Sequence, residues 1–220
     1  SGCLDKLEAY KQHSTDADLI QEADYMLVYS AYEQGRPNAV ELLKDYLDVY
    51  PASRHADEVN FLIGSAHFGQ GEYQKAIFWF NESNIDMLSP EQQEAYCFRL
   101  AYSLLQIGDM EKARGYFARI EQIGTKYREA STYYVAYIDY ATGKYNNALV
   151  EFTRLKDLPD YKERSLYYIT QIYFIQNKYE KVISEGKELL ASYPDCENNS
   201  EVYRIMGNAY YHLGNEDQAI

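Results

Sequence analysis

One short pattern, a turn followed by a small apolar residue, recurs along the 220 residues and limits the fold more than any other feature. Gly71-Glu-Tyr-Gln-Lys-Ala76, Gly108-Asp-Met-Glu-Lys-Ala113 and Gly143-Lys-Tyr-Asn-Asn-Ala148 share it. Asn177-Lys-Tyr-Glu-Lys-Val182 and Gly214-Asn-Glu-Asp-Gln-Ala219 continue it, and Gln34-Gly-Arg-Pro-Asn-Ala39 begins it. The small residues at 39, 76, 113, 148, 182 and 219 are spaced 37, 37, 35, 34 and 37 apart. A period of this length marks a stacked array of supersecondary units rather than a fold with one closed core.

Each anchor reads as the first turn of a helix, because Gly or Asn before it suits the left-handed backbone that ends a preceding helix. Four residues on stand Leu43, Phe80, Phe117 and Phe152, on the same helix face as the anchor. The fifth unit departs, with Val182 followed by Gly186, so looser packing of its second helix is expected. Twelve residues before the anchors come Leu27, Gly64, Ala101, Ala136, Thr170 and Gly207, mostly small enough for two helices to approach closely. An apolar column, Met26, Ile63, Leu100, Val135, Ile169 and Met206, runs just ahead of them. Tyr50-Pro51 and Tyr193-Pro194 end second helices, and Pro90 and Pro159 fall near the corresponding place in other units.

Antiparallel helix pairs with one small-residue contact, repeated at this period, resemble the tetratricopeptide repeat over nearly the whole chain. The stretch Ile63-Gly64 through Gly71, Tyr73, Ala76 and Phe80 carries the resemblance best. The chain departs from the pattern early in the first helices, where Asn60, Cys97 and Thr132 stand in place of an aromatic that returns only at Tyr203. Lys75-Ala-Ile-Phe-Trp-Phe80 is similar to the related Sel1-type repeat, in that unit alone. The resemblance implies an all-α, right-handed α-α superhelix of about six helix-turn-helix units, with residues 1–220 forming a single domain. Cys3 to Tyr10 reads as a second helix without its first, and Ala219-Ile220 as the start of another, so a piece of a longer array is expected. Tyr50-Pro51-Ala-Ser-Arg-His-Ala56 is similar to repeats of bacterial envelope assembly factors, which leans localisation toward the envelope over the cytoplasm. Ser1-Gly2-Cys3 fits either an expression scar or a lipoprotein cleavage site, with Cys3 then a lipid-anchor position or an ordinary helix residue.

Composition narrows the chemistry. With 34 acidic against 21 basic residues, the net charge of −13 repels phosphate backbones, so no nucleic-acid partner is expected. No run approaches the ~20 apolar residues of a membrane span. Cys3, Cys97 and Cys196 form neither a disulfide framework nor a metal-ligand spacing, and His13, His55, His67 and His212 are scattered without a nucleophile partner. Gly64, Gly69 and Gly71 precede no Lys-Ser/Thr for phosphate binding. No catalytic residue, metal or cofactor is therefore assigned, and the chain is read as a non-enzyme.

The 25 tyrosines, beside 8 phenylalanines and one tryptophan, supply the functional expectation. In the resembled family the first helices line a concave groove that takes peptides or proteins. The residues 15, 11 and 8 before each anchor share one helix face, which family geometry turns toward that groove. They include Phe61, Phe98, Tyr133 and Tyr167, then Tyr102 and Tyr137, then Tyr140, Phe174 and Tyr211. Phe61/Ser65, Phe98/Tyr102 and Tyr133/Tyr137 replace the Lys/Asn pairs of the family's carboxylate clamp, so a chaperone-tail adaptor is not expected. An aromatic-lined groove that binds a protein or peptide noncovalently is the reading. The alternatives are a spacer or self-association segment of a larger multi-repeat protein, or a regulatory segment attached to another domain.

Overall fold

The computed structural model describes residues 15–123, 125–215 and 217. The segment from Cys3 to Tyr10 and the anchor Ala219 lie outside them. The described residues are helical, with no strand among them. In order the helices are α1 (Ala17–Glu33), α2 (Ala39–Val49), α3 (Ala56–Gly69), α4 (Tyr73–Asn81), α5 (Pro90–Gln106) and α6 (Met110–Ile123). Then follow α7 (Arg128–Ala141), α8 (Tyr145–Leu155), α9 (Pro159–Ile175), α10 (Tyr179–Ser192) and α11 (Asn199–His212), with one 3-10 turn at Ile85–Met87. Odd-numbered helices are the first helices of the units and even-numbered ones the second.

Two compact units divide the chain, one ending at Tyr116 and the other starting at Phe117. In the first, α1 packs on α2, α2 on α3, α3 on α4, and α4 on α5, while α3 also meets α5. In the second, α7 to α11 pack in the same sequential way, with α7 on α9 and α9 on α11. Within each unit these helices thus touch their successors, and the first helices α3 and α5, α7 and α9, and α9 and α11 also meet one repeat apart.

Local chemistry sets the boundaries. The hairpin turns carry Gly35, Gly71, Gly108, Gly143 and Gly214 at positive φ, and Asn177 fills the same place at φ 56°. At Gly71 the φ of 73° lets Gly71 and Glu72 donate their backbone N–H groups to Phe68 and His67 carbonyls at 3.0 and 2.9 Å, which terminates α3. Two fixed positions then tie the hairpin: His67 Nδ1 lies 2.6 Å from Glu72, Asp139 lies 4.0 Å from Lys144, and Lys178 sits 5.7 Å over the Tyr173 ring. The same repeat positions hold an imidazole on a carboxylate, a lysine beside an aspartate, or a cation on a ring.

Pro51 and Pro194 follow second helices that end at Val49 and Ser192, as their spacing indicates. Pro90 and Pro159 act differently. They are the first residues of α5 and α9, where the missing N–H costs no hydrogen bond, and Ser89 with Gln92 completes a capping box at α5.

Anchors Ala76, Ala113, Ala148 and Val182 are fully buried, as are Leu43, Phe80, Phe117 and Phe152. At Gly64 the small-residue contact is close enough that a Cβ would lie 2.7 Å from the Phe80 ring. Ala136 and Phe152 share one buried cluster in the second unit. The fifth repeat is not loose: Gly186 is buried, and the Met206 sulfur from α11 occupies the space beside it, 2.5 Å from where a Cβ would stand. Volume lost on the second helix is returned by the next first helix. The apolar column holds from Ile63 to Met206, but Met26 is 46% exposed on α1. On α4 the outward Phe78 meets Trp79 edge-on at 5.4 Å, and the Lys44 ammonium from α2 lies 5.3 Å from the Trp79 ring centre.

Candidate functional site: the aromatic faces of the first helices

In the first unit the expected residues separate by depth. Tyr102 is half-buried on α5, with its ring 5.8 Å from Phe68, 5.9 Å from Tyr73 and 6.4 Å from Phe98. Phe98 is half-buried beside it. Phe61, expected in the groove, is instead only 4% exposed. It packs 6.2 Å from Phe80, and the Arg99 guanidinium covers it at 5.5 Å. Its position faces its own second helix closely because Gly64, one turn along, draws α3 and α4 together. Ser65 is buried as well and accepts a hydrogen bond from Arg99.

The second unit holds a continuous aromatic cluster centred on Tyr168. That ring stacks on Phe152 at 4.9 Å and 11°, and lies 5.0 Å from Tyr140, 5.9 Å from Tyr137, 6.5 Å from Tyr133 and 5.3 Å from Tyr167. Burial pushes the Tyr133 and Tyr168 phenols above their ordinary ionisation. The Tyr133 and Tyr168 phenols therefore stay neutral and able to donate and accept hydrogen bonds at physiological pH. Tyr133, Tyr137, Tyr140 and Tyr167 are each half-buried, with part of each ring covered by a neighbour and part open. A cavity of about 270 Å³ opens beside them, lined by Tyr133, Glu163, Arg164, Tyr167, Tyr168, Leu189, Cys196 and Asn198. Phe174 is half-buried against Tyr179 at 6.4 Å, and Tyr211 is 64% exposed.

Sequence columns drawn 15, 11 and 8 residues before the anchors miss the position 14 before. It reads Tyr25, Leu62, Arg99, Tyr134, Tyr168 and Ile205. Tyr134 stacks on Phe117 at 5.0 Å and 17°, just as Tyr168 stacks on Phe152, so a first-helix tyrosine lies flat on the large residue of the preceding second helix. The doublets Tyr133-Tyr134 and Tyr167-Tyr168 carry the signal: one ring of each binds the preceding repeat, and the other is left half-open. In the first unit Tyr25 stacks on His55 at 3.6 Å and donates to Glu58 at 2.6 Å, and His55 contacts Glu22 at 2.9 Å.

Among the described residues no group of three or more His, Cys, Asp or Glu could hold a metal ion. None of the described helices is long and apolar enough to cross a membrane.

Family models described as tetratricopeptide repeats match residues 21–85 and 94–122. No curated protein sequence matches the chain. Among solved structures, the chain is similar to a crystal structure of MamA, with 17% identity and a TM-score of 0.60 over 71% of this chain and 88% of that one. A tetratricopeptide repeat protein from Parabacteroides merdae ATCC 43184 is similar with 16% identity and a TM-score of 0.62, over 90% of this chain and 75% of that one. At such identities these structures speak for the fold.

Proposed function

From the premise that this chain carries tetratricopeptide repeats and is an interaction scaffold, we propose that it binds a peptide segment through the half-open tyrosines of its first helices. The observation that supports this reading is the partial exposure of Tyr102 in the first unit and of Tyr137, Tyr140 and Tyr167 in the second. Each of these rings has one side fixed by neighbours, so little rotamer freedom remains to be lost on binding. Each also carries a phenolic hydroxyl, so a ligand backbone can be hydrogen-bonded while its side chains bury against the ring. The reaction is noncovalent association, with no bond made or broken. An extended or proline-containing segment, or one face of a partner helix, suits such a surface.

The test is a pull-down with the native chain beside Tyr102→Ala/Tyr137→Ala/Tyr167→Ala, whose helical content is first matched by far-UV circular dichroism. A partner kept by the native chain and lost by the variant supports the surface. Equal capture by both places binding elsewhere.

A further inference from the structure

Arg99 is a half-buried cation without a carboxylate. Its guanidinium donates to the Ser65 hydroxyl, faces the Tyr32 hydroxyl and covers the Phe61 ring at 5.5 Å. These partners come from α1 and α3 while Arg99 stands on α5, so Arg99 bridges the three first helices of its unit. No Asp or Glu among the described residues lies within salt-bridge distance of it. Two other half-buried cations are treated differently: Lys156 pairs with Glu185 at 3.1 Å and Lys162 with Glu188 at 3.0 Å. A chain with 34 acidic residues has ample means to neutralise one guanidinium, yet here it supplies only hydroxyls and a ring. Withdrawing a cation from water costs free energy that neutral partners repay only in part.

We propose that Arg99 is the recognition element for one acidic side chain of the bound peptide, which supplies the carboxylate that this protein withholds. This rests on the peptide-binding reading above and deepens it. The guanidinium is held on both sides, by Ser65 and by the Phe61 ring, so its fork is aimed before the ligand arrives. A carboxylate meeting that fork forms charge-assisted, bidentate hydrogen bonds in a partly dehydrated place. The overall charge of −13 repels an acidic run, so the fitting peptide has a single Asp or Glu flanked by apolar or aromatic residues. Those flanking residues would lie against Tyr102 and Phe98, on the same helix as Arg99.

The test selects binders to the whole chain from a random heptapeptide phage library and then synthesises the consensus peptide with its acid intact or changed to the amide. Shared acidic residues, with about tenfold or greater weakening by the amide peptide, are expected for the native chain. In Arg99→Gln the two peptides should bind alike. Peptides without a shared acid, or discrimination that survives in Arg99→Gln, overturn the assignment while leaving peptide binding intact. Failure to recover any peptide overturns both. Should Arg99→Gln fail to fold, Arg99→Lys keeps the charge and loses the fork, and undiminished discrimination in that variant overturns the assignment equally.

Discussion

A single methyl group at Gly64 tests the close approach of α3 to α4. Placed on the backbone, the Cβ of Gly64→Ala would stand 2.7 Å from Cδ1 and 2.8 Å from Cε1 of Phe80. Carbon atoms rest at about 3.5–4.0 Å, so the ring or the helix must move by roughly 1 Å. The ring has no room to turn away, because Phe80 is fully buried between Phe61 and Tyr96. Overpacking of this kind costs about 1–3 kcal/mol. Replacing glycine by alanine within a helix returns about 1 kcal/mol, which leaves a net loss of up to about 2 kcal/mol. Gly115 in α6 has nothing within 4 Å of its would-be Cβ, so Gly115→Ala keeps only the gain. The two variants should then differ by about 1–3 kcal/mol in urea unfolding followed by far-UV ellipticity, with opposite signs relative to the native chain. Adding Phe80→Leu to Gly64→Ala should cost less than the sum of the single changes, since the shortened side chain relieves the clash. Equal midpoints for Gly64→Ala and Gly115→Ala would refute the close-contact argument.

Three further outcomes are expected. Tyr168→Ala removes the ring stacked on Phe152 and should lower stability by about 2–4 kcal/mol, against about 0.5–1.5 kcal/mol for Tyr168→Phe, which keeps the ring and loses only the hydroxyl; similar midpoints for the two would rule out stacking as the main contribution. Tyr50 donates to Asp24 at 2.7 Å, and that hydrogen bond to a carboxylate pushes its ionisation up to about 12. A raised value in the folded state means the contribution is whole below pH ~10 and is lost as pH climbs through about 12. The stability gap between the native chain and Tyr50→Phe should therefore close across that window; a gap constant from neutral pH upward would contradict it. Asn177→Gly should melt at or slightly above the native temperature, with a gain of no more than ~1 kcal/mol, whereas Asn177→Val should lose at least ~1 kcal/mol because a β-branched residue cannot take φ 56° without strain.

The hairpins were legible because they rest on local rules. Gly71 and Asn177 announce left-handed turns, Ala76 and Phe80 share a face, and Gly64 announces a close crossing; each needs only the residues within one unit. Pro90 and Pro159 were ambiguous from spacing, since a proline suits a helix start as well as the residue after a helix end, and Ser89 with Gln92 decides the matter at α5. Depth on the binding face was less legible. Phe61 and Phe98 occupy the same repeat position, yet only Phe61 is fully covered, because Arg99 reaches it from the next repeat. The Tyr168 stack was missed for a similar reason: its partner Phe152 belongs to the preceding hairpin, and a one-residue shift from Tyr167 exchanges a surface ring for a joint between repeats. Gly186 makes the same point, as the residue that fills its space, Met206, stands 20 positions further on.

The lone indole gives this tyrosine-rich chain an asymmetric optical label. Trp79 lies in the first compact unit, with an ammonium over its ring and a phenylalanine at its edge, while the other aromatic emitters are phenols spread through both units. Excitation at the red edge, where phenols do not absorb, would follow the first unit alone, whereas peptide ellipticity averages over both. Denaturation profiles that superimpose for the two signals would mean that the units melt as one; an emission change preceding or trailing the ellipticity would measure how weakly one half of the array communicates its order to the other.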